Sequence, residues 1–166
     1  MKNLIFIYRG KVFLIRKLLA KDVKTSYIRY LKNQKFLINK SKNLTKKNQM
    51  NYINQIHKDK NRTILGVFHK RNLIATSGFQ HLNKRKVFIG IFLFNKKFLN
   101  KGYGFFVINF AINFIYKFYK KKTFIACINN RNISSIKAFQ KAGFIKFKSI
   151  NRPNCYQLKI ENSHFF

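Results

Sequence analysis

Two glycines two positions apart form the most informative short motif of the chain. The segment FLNKGYG, residues 98–104, lies between an apolar stretch and a long helical pattern. Glycine lets backbone N–H groups turn inward without obstruction by a Cβ atom, and the free N–H groups of a helix N-terminus attract anions. Lys101 adds a positive charge suited to phosphate. The segment predicts a diphosphate-binding turn, with an ordinary glycine-rich helix start as the alternative.

The spacing of this turn differs from two other phosphate-binding motifs. The chain has no Walker sequence G-x-x-x-x-G-K-[ST], and Val107 stands where a Rossmann fingerprint has its third glycine. The turn by itself therefore does not identify the ligand.

A second motif follows about 28 residues later, and the two together resemble one family. The segment NISSIKAFQKAGF, residues 132–144, resembles the N-x-x-S-I-x-x-(Y/F)-x-K-x-G-F signature of the GNAT acetyltransferase superfamily. The segment FLIRKL at 13–18 with Asp22, and YIRYLKN at 27–33, resemble the opening of its branch of ribosomal-protein N-terminal and amino-sugar acetyltransferases. The resemblance covers roughly residues 12–160, in order, and two separated motifs are more specific than either alone.

The resemblance implies a V-shaped sheet whose splayed strands, residues 86–94 and 123–128, admit the pantetheine arm of acetyl-CoA. Backbone groups near the end of the first strand would pair with that arm, amides of the turn would hold the pyrophosphate, and Asn132 would bind near the thioester. The cofactor-binding residues implied in this way are Phe92, Leu93, Phe94, Leu99, Asn100, Lys101, Gly102, Tyr103, Gly104, Phe105, Asn132, Ser135 and Phe139.

The chain departs from the family pattern at three points. Leu99 stands where the family often has Gln or Arg, three residues before the first glycine. Phe139 replaces a tyrosine that in many members protonates the leaving thiolate. Many members use a glutamate base, but no acid lies between Asp59 and Glu161. The general acid and base are therefore not given by the resemblance.

Two other residues are the candidates for these catalytic roles. Direct attack of a neutral amine on a thioester needs positioning, backbone N–H groups that stabilise the oxyanion, and a group that removes a proton from the ammonium. His81 is the central histidine suited to that role, with a surface loop histidine as the alternative interpretation. Tyr156 is a second, weaker candidate, and an inactive copy of the fold stays open.

The elements that must position these residues predict an α+β, or mixed α/β, fold with a central, mostly antiparallel, splayed sheet flanked by helices. A length of 166 residues and 46% hydrophobic content fit one domain, 1–166, with its core at about 12–160. The pattern predicts strands at 12–18, 63–68, 73–79, 86–94, 123–128, 145–150 and 155–160, and helices at about 22–31, 45–57, 102–120 and 134–142.

Four residues add detail to these predicted strands and helices. Gly90 inside a strand indicates a bulge or a close backbone approach. Gly143 suits the left-handed position that ends a helix. In the long helix, Asn109 and Asn113 lie on the side opposite the apolar stripe.

The charge is strongly positive, with 36 Lys and Arg against 3 Asp and Glu, a formal net charge of +33. Such a surface favours anionic partners, among them CoA, a nucleotide sugar or ribosomal RNA. The alternative is that the positive charge results from compositional drift and has no role in binding. The few acids and the absence of an HExxH motif argue against a metal site.

Cysteine usage and hydropathy predict a cytoplasmic protein. Cys127 and Cys155 lack CxxC spacing and lie in apolar segments, so both are expected to be buried thiols in a reducing compartment. The longest uncharged stretch, residues 102–116, falls short of a transmembrane segment.

The sequence thus predicts an acetyl-CoA-dependent N-acetyltransferase without a metal. Its acceptor is a small-molecule or peptide amine, either an amino-sugar nucleotide or a protein N-terminus such as that of a ribosomal protein. The alternative is a basic nucleic-acid- or ribosome-binding module with an inactive fold, which needs clustered cations and exposed aromatic residues.

Overall fold

The computed structural model describes residues 3–34, 36, 43–147 and 154–159. The strands are β1 Asn3–Tyr8, β2 Lys11–Lys17, β3 Arg62–His69, β4 Asn72–Gln80, β5 Lys86–Leu93, β6 Thr123–Cys127, β7 Ile145–Phe147 and β8 Cys155–Lys159. The helices are α1 Thr25–Lys32, α2 Lys46–Lys58, α3 Tyr103–Tyr119 and α4 Ile133–Lys141, and a 3₁₀ turn at Ala20–Asp22 precedes α1. The parts of the predicted strands at 148–150 and 160 lie outside the described residues.

The strands form one eight-stranded sheet in the order β1-β2-β3-β4-β5-β6-β8-β7. Neighbours are antiparallel except for β5 and β6, which are parallel. The predicted mixed α+β class with a mostly antiparallel sheet is confirmed. Strand β1 was not predicted, and it pairs with β2 through a turn in which Arg9 and Gly10 both have positive φ.

The sheet splays between β5 and β6. The two strands pair only over Lys86–Phe88 and Thr123–Ile125. Strand β5 continues to Leu93 along β4, whereas β6 continues along β8. The predicted divergence of these two strands is confirmed, and the opening that begins after the pair Phe88 and Ile125 is called the gap below.

Helices cover both faces of the sheet. The main core packs α3 and α4 against one face, and its buried strand residues include Ile89, Phe124 and Tyr156. The second core packs α1 and α2 against the other face, with Phe92 of β5 and with Phe94, which follows that strand. Because successive side chains of a strand point to opposite faces, β5 contributes to both cores.

Helix α3 is buried on nearly every side. Asn113 is buried, and the side-chain oxygen of Asn109 is a buried acceptor without a hydrogen-bond partner among the described residues. The side of α3 opposite the predicted apolar stripe is therefore partly buried as well. One reason is the unpredicted strand β1, whose Phe6 packs against Phe110 with ring centroids 3.6 Å apart.

The two cysteines form a disulfide, so the prediction of free buried thiols was wrong. Cys127 and Cys155 lie directly opposite each other on the antiparallel strands β6 and β8, with Cα atoms 4.1 Å apart. That separation lies close to the range in which disulfides form. Residues 28 positions apart are brought together by strand pairing, which makes CxxC spacing unnecessary.

Gly90 does not mark a bulge or a close backbone approach, contrary to prediction. It pairs regularly with Gly78 of β4, and the register shift of this part of the sheet lies between Val67 and Phe68. A Cβ atom built on Gly90 would meet nothing within 4 Å.

Two predicted helix ends are confirmed in detail. The hydroxyl of Thr45 accepts a hydrogen bond from the N–H of Asn48 at 3.1 Å at the start of α2. Gly143 has φ +87° after α4, and Phe144 N–H donates to the carbonyl of Phe139 at 3.0 Å. Within the part of the chain that the structure describes, no helix is long and apolar enough to cross a membrane.

Candidate active site

The turn between β5 and α3 is shaped by two left-handed residues. Asn100 has φ +57° and Gly102 has φ +79°. An Asx turn begins the loop, since Asn95 accepts a hydrogen bond from the N–H of Lys97 at 3.0 Å. The turn therefore has two residues with left-handed backbone before α3 begins at Tyr103. Glycine suits the second of them because it tolerates positive φ.

The N-terminus of α3 has free hydrogen-bond donors. Gly102 is the N-cap, and no side chain caps this helix end within the described chain. The first N–H groups of a helix lack intrahelical acceptors, and the helix dipole places partial positive charge there. The first turn of α3 contains no acidic residue that would compete for these donors. This arrangement is suited to an anion.

The β1–β2 hairpin supports the turn from the side, which the sequence did not indicate. The Arg9 guanidinium donates to the carbonyl oxygen of Lys101 at 2.9 Å. Tyr8 packs against Tyr103 and Phe106 of α3, with ring centroids 5.4 and 4.7 Å away. The Arg9-Gly10 dipeptide between two apolar runs is the signal that could have predicted this hairpin.

The second glycine of the turn allows helices α3 and α4 to approach each other. A Cβ atom on Gly104 would lie 3.4 Å from the Cβ atom of Ala138. The Lys141 ammonium of α4 lies 5.3 Å from the ring centroid of Phe105. The start of α3 is thus bordered by a cation on α4 in addition to Lys101 and Arg9.

Asn132 and Ser135 lie at the N-terminus of α4, beyond the end of β6. The side-chain oxygen of Asn132 accepts from the N–H of Ser135 at 3.3 Å and from the hydroxyl of Ser134 at 3.2 Å. That oxygen therefore caps α4, and the side-chain NH₂ of Asn132 is the group suited to a cofactor. The predicted position near the thioester stays a prediction.

The other predicted cofactor residues differ in burial, since some lie in the two cores and others are exposed on the turn. Leu93 packs against the main core at the end of β5, and Phe92 is buried in the second core. The N–H of Phe94 donates to the carbonyl of Ile74 at 3.2 Å, so this amide is engaged on the β4 side. Phe139 is buried against Phe144 in the main core. Leu99 and Asn100 are exposed on the turn.

The two predicted catalytic residues approach the sheet from opposite faces. His81 is exposed and its ring lies edge-on to Phe88, with centroids 5.4 Å apart. Phe88 points away from the main core, because its neighbours Val87 and Ile89 belong to that core. Tyr156 is buried in the main core. The structure does not bring His81 and Tyr156 into contact. His81 lies against Phe88, the last β5 residue paired with β6, and Tyr156 pairs with Ala126, the residue after Ile125.

Tyr27 is a buried tyrosine on the face that His81 shares. Burial raises its pKa to about 12, although hydrogen bonds with Thr76 and Gln49 act in the opposite direction. Its hydroxyl is therefore protonated at neutral pH and cannot act as a base. It contacts Phe92 of β5 and Phe94, which follows that strand, from its position on α1.

The two described carboxylates, Asp22 and Asp59, form ion pairs with arginines. Asp22 accepts two hydrogen bonds from the Arg16 guanidinium, at 2.6 and 2.8 Å, and one from the N–H of Leu19 at 2.8 Å. Asp59 is paired with Arg62 at 2.6 Å. Within the ranges that the structure describes, the groups suited to catalysis are therefore a histidine, a tyrosine and backbone N–H groups.

The site fits the diphosphate and pantetheine arm of acetyl-CoA. Gly102 and the uncapped start of α3 provide N–H donors, Arg9 and Lys101 provide positive charge, and the gap leaves one edge of β5 beyond Phe88 unpaired with β6. Extended chains with amide groups bind to such unpaired strand edges through backbone hydrogen bonds. No group of His, Cys, Asp or Glu among the described residues could hold a metal ion.

Comparison with known proteins gives the family. A family profile described as "Acetyltransferase (GNAT) domain" matches residues 13–145. No curated protein matches the chain in sequence. The ribosomal-protein-S5-alanine acetyltransferase from Vibrio fischeri has 17% identity and a TM-score of 0.76, with 96% of this chain and 98% of that chain covered.

Two further solved structures share the fold. The N-acetyltransferase PseH of Campylobacter jejuni in complex with acetyl coenzyme A has 17% identity and a TM-score of 0.66, with 87% of this chain and 98% of that one covered. The spermidine N-acetyltransferase SpeG K23-Q34 chimera from Vibrio cholerae and hSSAT has 14% identity and a TM-score of 0.72, with 89% and 95% covered. Because the family profile spans most of this chain and the fold agrees, acetyl-CoA is the co-substrate. The chain belongs to the GNAT acetyltransferase family and is an N-acetyltransferase.

Proposed function

We propose that this N-acetyltransferase transfers the acetyl group to a primary amine by direct attack, with both substrates held at the gap between β5 and β6. The observation that carries the proposal is the end of β5–β6 pairing at Phe88 and Ile125, beside a turn whose N–H groups are free to bind a diphosphate. Acetyl-CoA supplies an activated acetyl thioester. The proposed cofactor residues are those that the sequence predicted.

Backbone groups perform much of the work in this proposal. N–H groups from Asn100 to Phe105 hold the diphosphate, and the unpaired edge of β5 aligns the pantetheine arm. A backbone N–H at the gap stabilises negative charge that develops on the thioester oxygen. Holding the amine beside the thioester removes much of the entropic cost of their encounter.

We assign proton transfer to His81 and Tyr156. The amine nitrogen forms the new C–N bond as the C–S bond breaks, His81 takes a proton from the nitrogen, and Tyr156 gives one to the departing sulfur. His81 and Tyr156 lie on opposite faces of the sheet, so different groups can serve the attacking nitrogen and the departing sulfur. His81→Gln should lower kcat about 100-fold or more.

The assignment has a simple control. Acetyl-CoA binding by His81→Gln, measured by calorimetry, should equal that of the unaltered protein, because His81 lies on the acceptor side. Tyr156→Phe should lower kcat without abolishing binding. Unchanged kcat in either variant would refute the role of that residue.

The acceptor we favour is an amino-sugar nucleotide over a protein N-terminus. A formal charge of +33 attracts a diphosphate-linked sugar. Both described carboxylates, Asp22 and Asp59, are held in ion pairs with arginines. A polycationic amine such as spermidine would therefore meet repulsion without a described carboxylate to bind it. A cytoplasmic location is also proposed, but the Cys127–Cys155 disulfide removes the argument from free thiols that the sequence offered for it.

The nucleic-acid-binding alternative receives less support. Such surfaces combine cations with exposed aromatic rings on which bases stack. Among the described residues, the exposed large aromatic side chains are Phe36 and Tyr52, at 36% and 42% exposure. Most of the aromatic residues pack instead in the two cores.

The test combines binding and turnover. At a hundredfold excess over its Kd, acetyl-CoA should stabilise the protein by about 2.7 kcal/mol and raise the melting temperature by about 5–10 °C. CoA release should be faster with UDP-glucosamine than with spermidine or an alanine-terminated peptide. No thermal shift would refute acetyl-CoA binding, and a preference for spermidine would refute the acceptor class.

A further inference from the structure

Two glycines face each other in the middle of the sheet. Gly78 of β4 is the direct partner of Gly90 of β5. The pairs on either side, Ser77 with Ile91 and Phe79 with Ile89, continue in the same register. The ladder is therefore regular at both glycines.

Neither glycine is needed by the described fold. Glycine inside a strand lowers stability and usually marks a bulge, a bend or the close approach of a backbone or ligand. Gly78 and Gly90 are not among the residues with positive φ, and a Cβ atom on either would meet nothing within 4 Å. Gly66 differs, because its Cβ atom would lie 2.7 Å from the ring of Phe68. The regular register excludes a bulge and the open space excludes close packing against another backbone, so we interpret the pair as room left for a ligand.

The glycine pair lies beside the gap, on the face opposite the main core. Ile89 and Ile91 point into or against that core, so Gly90 and its partner Gly78 face the other way. Phe88, the last β5 residue paired with β6, borders the pair at one end. Gly90 is exposed and Gly78 is half-buried. The surface here consists of peptide groups.

The other end of this surface is bordered by α1. Thr76 and Phe92 form the next pair on the same face, and the side chain of Tyr27 hydrogen-bonds to Thr76. The exposed backbone of the glycine pair therefore lies between the pair Gln80 with Phe88 and the pair Thr76 with Phe92, with Tyr27 bonded to Thr76. This surface is two strands wide, because it is formed by β4 and β5, and neither glycine contributes a charged side chain.

We propose that Gly78 and Gly90 form the floor of the acceptor site and determine the size of acceptor that reaches the gap. This rests on the proposed acetyltransferase function. A flat ring, such as that of an amino sugar, can lie on the exposed peptide groups and contact the ring of Phe88. A side chain at either position would occupy the volume that the ring needs.

The first measurement is the stability of the free protein. Gly78→Ala and Gly90→Ala add a Cβ atom where space is open and φ is allowed, so each should raise the melting temperature by about 1–3 °C. Gly66→Ala is the matched control and should lower it, because Phe68 and Leu73 occupy the space. A lower melting temperature for the variants at 78 and 90 would overturn the proposal, since the fold would then require those glycines.

The second measurement is turnover with amines of two sizes. With glucosamine 1-phosphate as the ring-shaped probe, Gly78→Val and Gly90→Val should raise KM at least about tenfold. With ethanolamine as the small probe, KM should change less than about twofold, and the thermal shift with acetyl-CoA should be unchanged. Equal changes in KM for both amines, or an unchanged KM for glucosamine 1-phosphate, would refute the proposal that the two glycines form the floor of the acceptor site. If acetyl-CoA does not raise the melting temperature of the unaltered protein, the proposed function is refuted, and the proposed floor of the acceptor site is refuted with it.

Discussion

The Arg9 guanidinium donates a hydrogen bond to the carbonyl oxygen of Lys101 at 2.9 Å, although the two residues are 92 positions apart. This bond joins the tip of the β1–β2 hairpin to the turn before α3. Arg9 also lies close to Gly102, since its Nη2 atom is 3.5 Å from where a Cβ atom of that residue would be. The hairpin therefore helps to hold the turn in the shape that exposes its N–H groups.

Arg9→Ala should weaken acetyl-CoA binding about 3- to 10-fold, because the turn loses a hydrogen bond and a neighbouring positive charge. Isothermal titration calorimetry measures this directly. Arg71→Ala is the matched control: Arg71 is also exposed, lies in a hairpin turn and has positive φ. An equal loss of affinity in both variants would show that general charge, rather than this hydrogen bond, is responsible.

Gly104→Asp should abolish detectable acetyl-CoA binding by placing a negative charge in the first turn of α3, where the diphosphate is expected. Gly104→Asn has nearly the same shape without the charge, and Gly104→Ala adds only a Cβ atom at an ordinary 3.4 Å from Ala138. We expect affinity to fall in the order Ala, Asn, Asp, with the largest step between Asn and Asp. Thermal shift with acetyl-CoA reports the order, and comparable binding by Asp and Asn variants would contradict the proposed position of the diphosphate.

Removing the disulfide should lower stability. The bond between Cys127 and Cys155 closes a loop across 28 positions, and replacing both cysteines by serine should cost about 3 kcal/mol, or about 6–12 °C in melting temperature. Mass spectrometry after alkylation in denaturant without reductant should find no modified cysteine. Two modified cysteines under those conditions would show that the native protein holds free thiols.

Acid should weaken the fold partly through Asp22. Burial alone would raise the pKa of Asp22, but hydrogen bonds from Arg16 and from the Leu19 N–H, with the positive charge of Arg16, lower it below its ordinary 3.8. The unfolded chain therefore binds the proton more readily, so this contribution is present above about pH 3.8 and is lost as the pH falls through the folded-state pKa.

Urea unfolding of Asp22→Asn at pH 6 and at pH 3 tests this point. The variant should be less stable than the unaltered protein at pH 6, and the difference should shrink at pH 3. A difference that stays constant would mean that Asp22 acts through shape rather than charge.

The parts of the fold predicted from sequence are those with local signals. Thr45 caps α2 and Gly143 ends α4 because hydrogen bonds between near neighbours determine both ends. The hairpin of β3 and β4 was predicted from two apolar runs separated by a polar turn, in which Lys70 and Arg71 have positive φ. These signals need no knowledge of distant contacts.

The features that were missed depend on distant contacts or on irregular patterns. Strand β1 carries apolar residues on both faces, and Ile5 and Ile7 are 70% and 74% exposed, so its sequence lacks the alternation that predicts a strand. The disulfide depends on the register of β6 and β8. The open position of Gly90 could be interpreted only when its partner Gly78 was known.

The narrow junction between β5 and β6 has a consequence for the dynamics of the empty enzyme. Three residue pairs are all that the ladder supplies between the five-stranded and three-stranded parts of the sheet. Amide groups of β5 and β6 that point into the gap have no strand partner to accept their hydrogen bonds. They should therefore exchange hydrogen for deuterium with the solvent quickly. A ligand that lies along the gap would act as a substitute strand, slowing that exchange and making the two parts unfold as one unit.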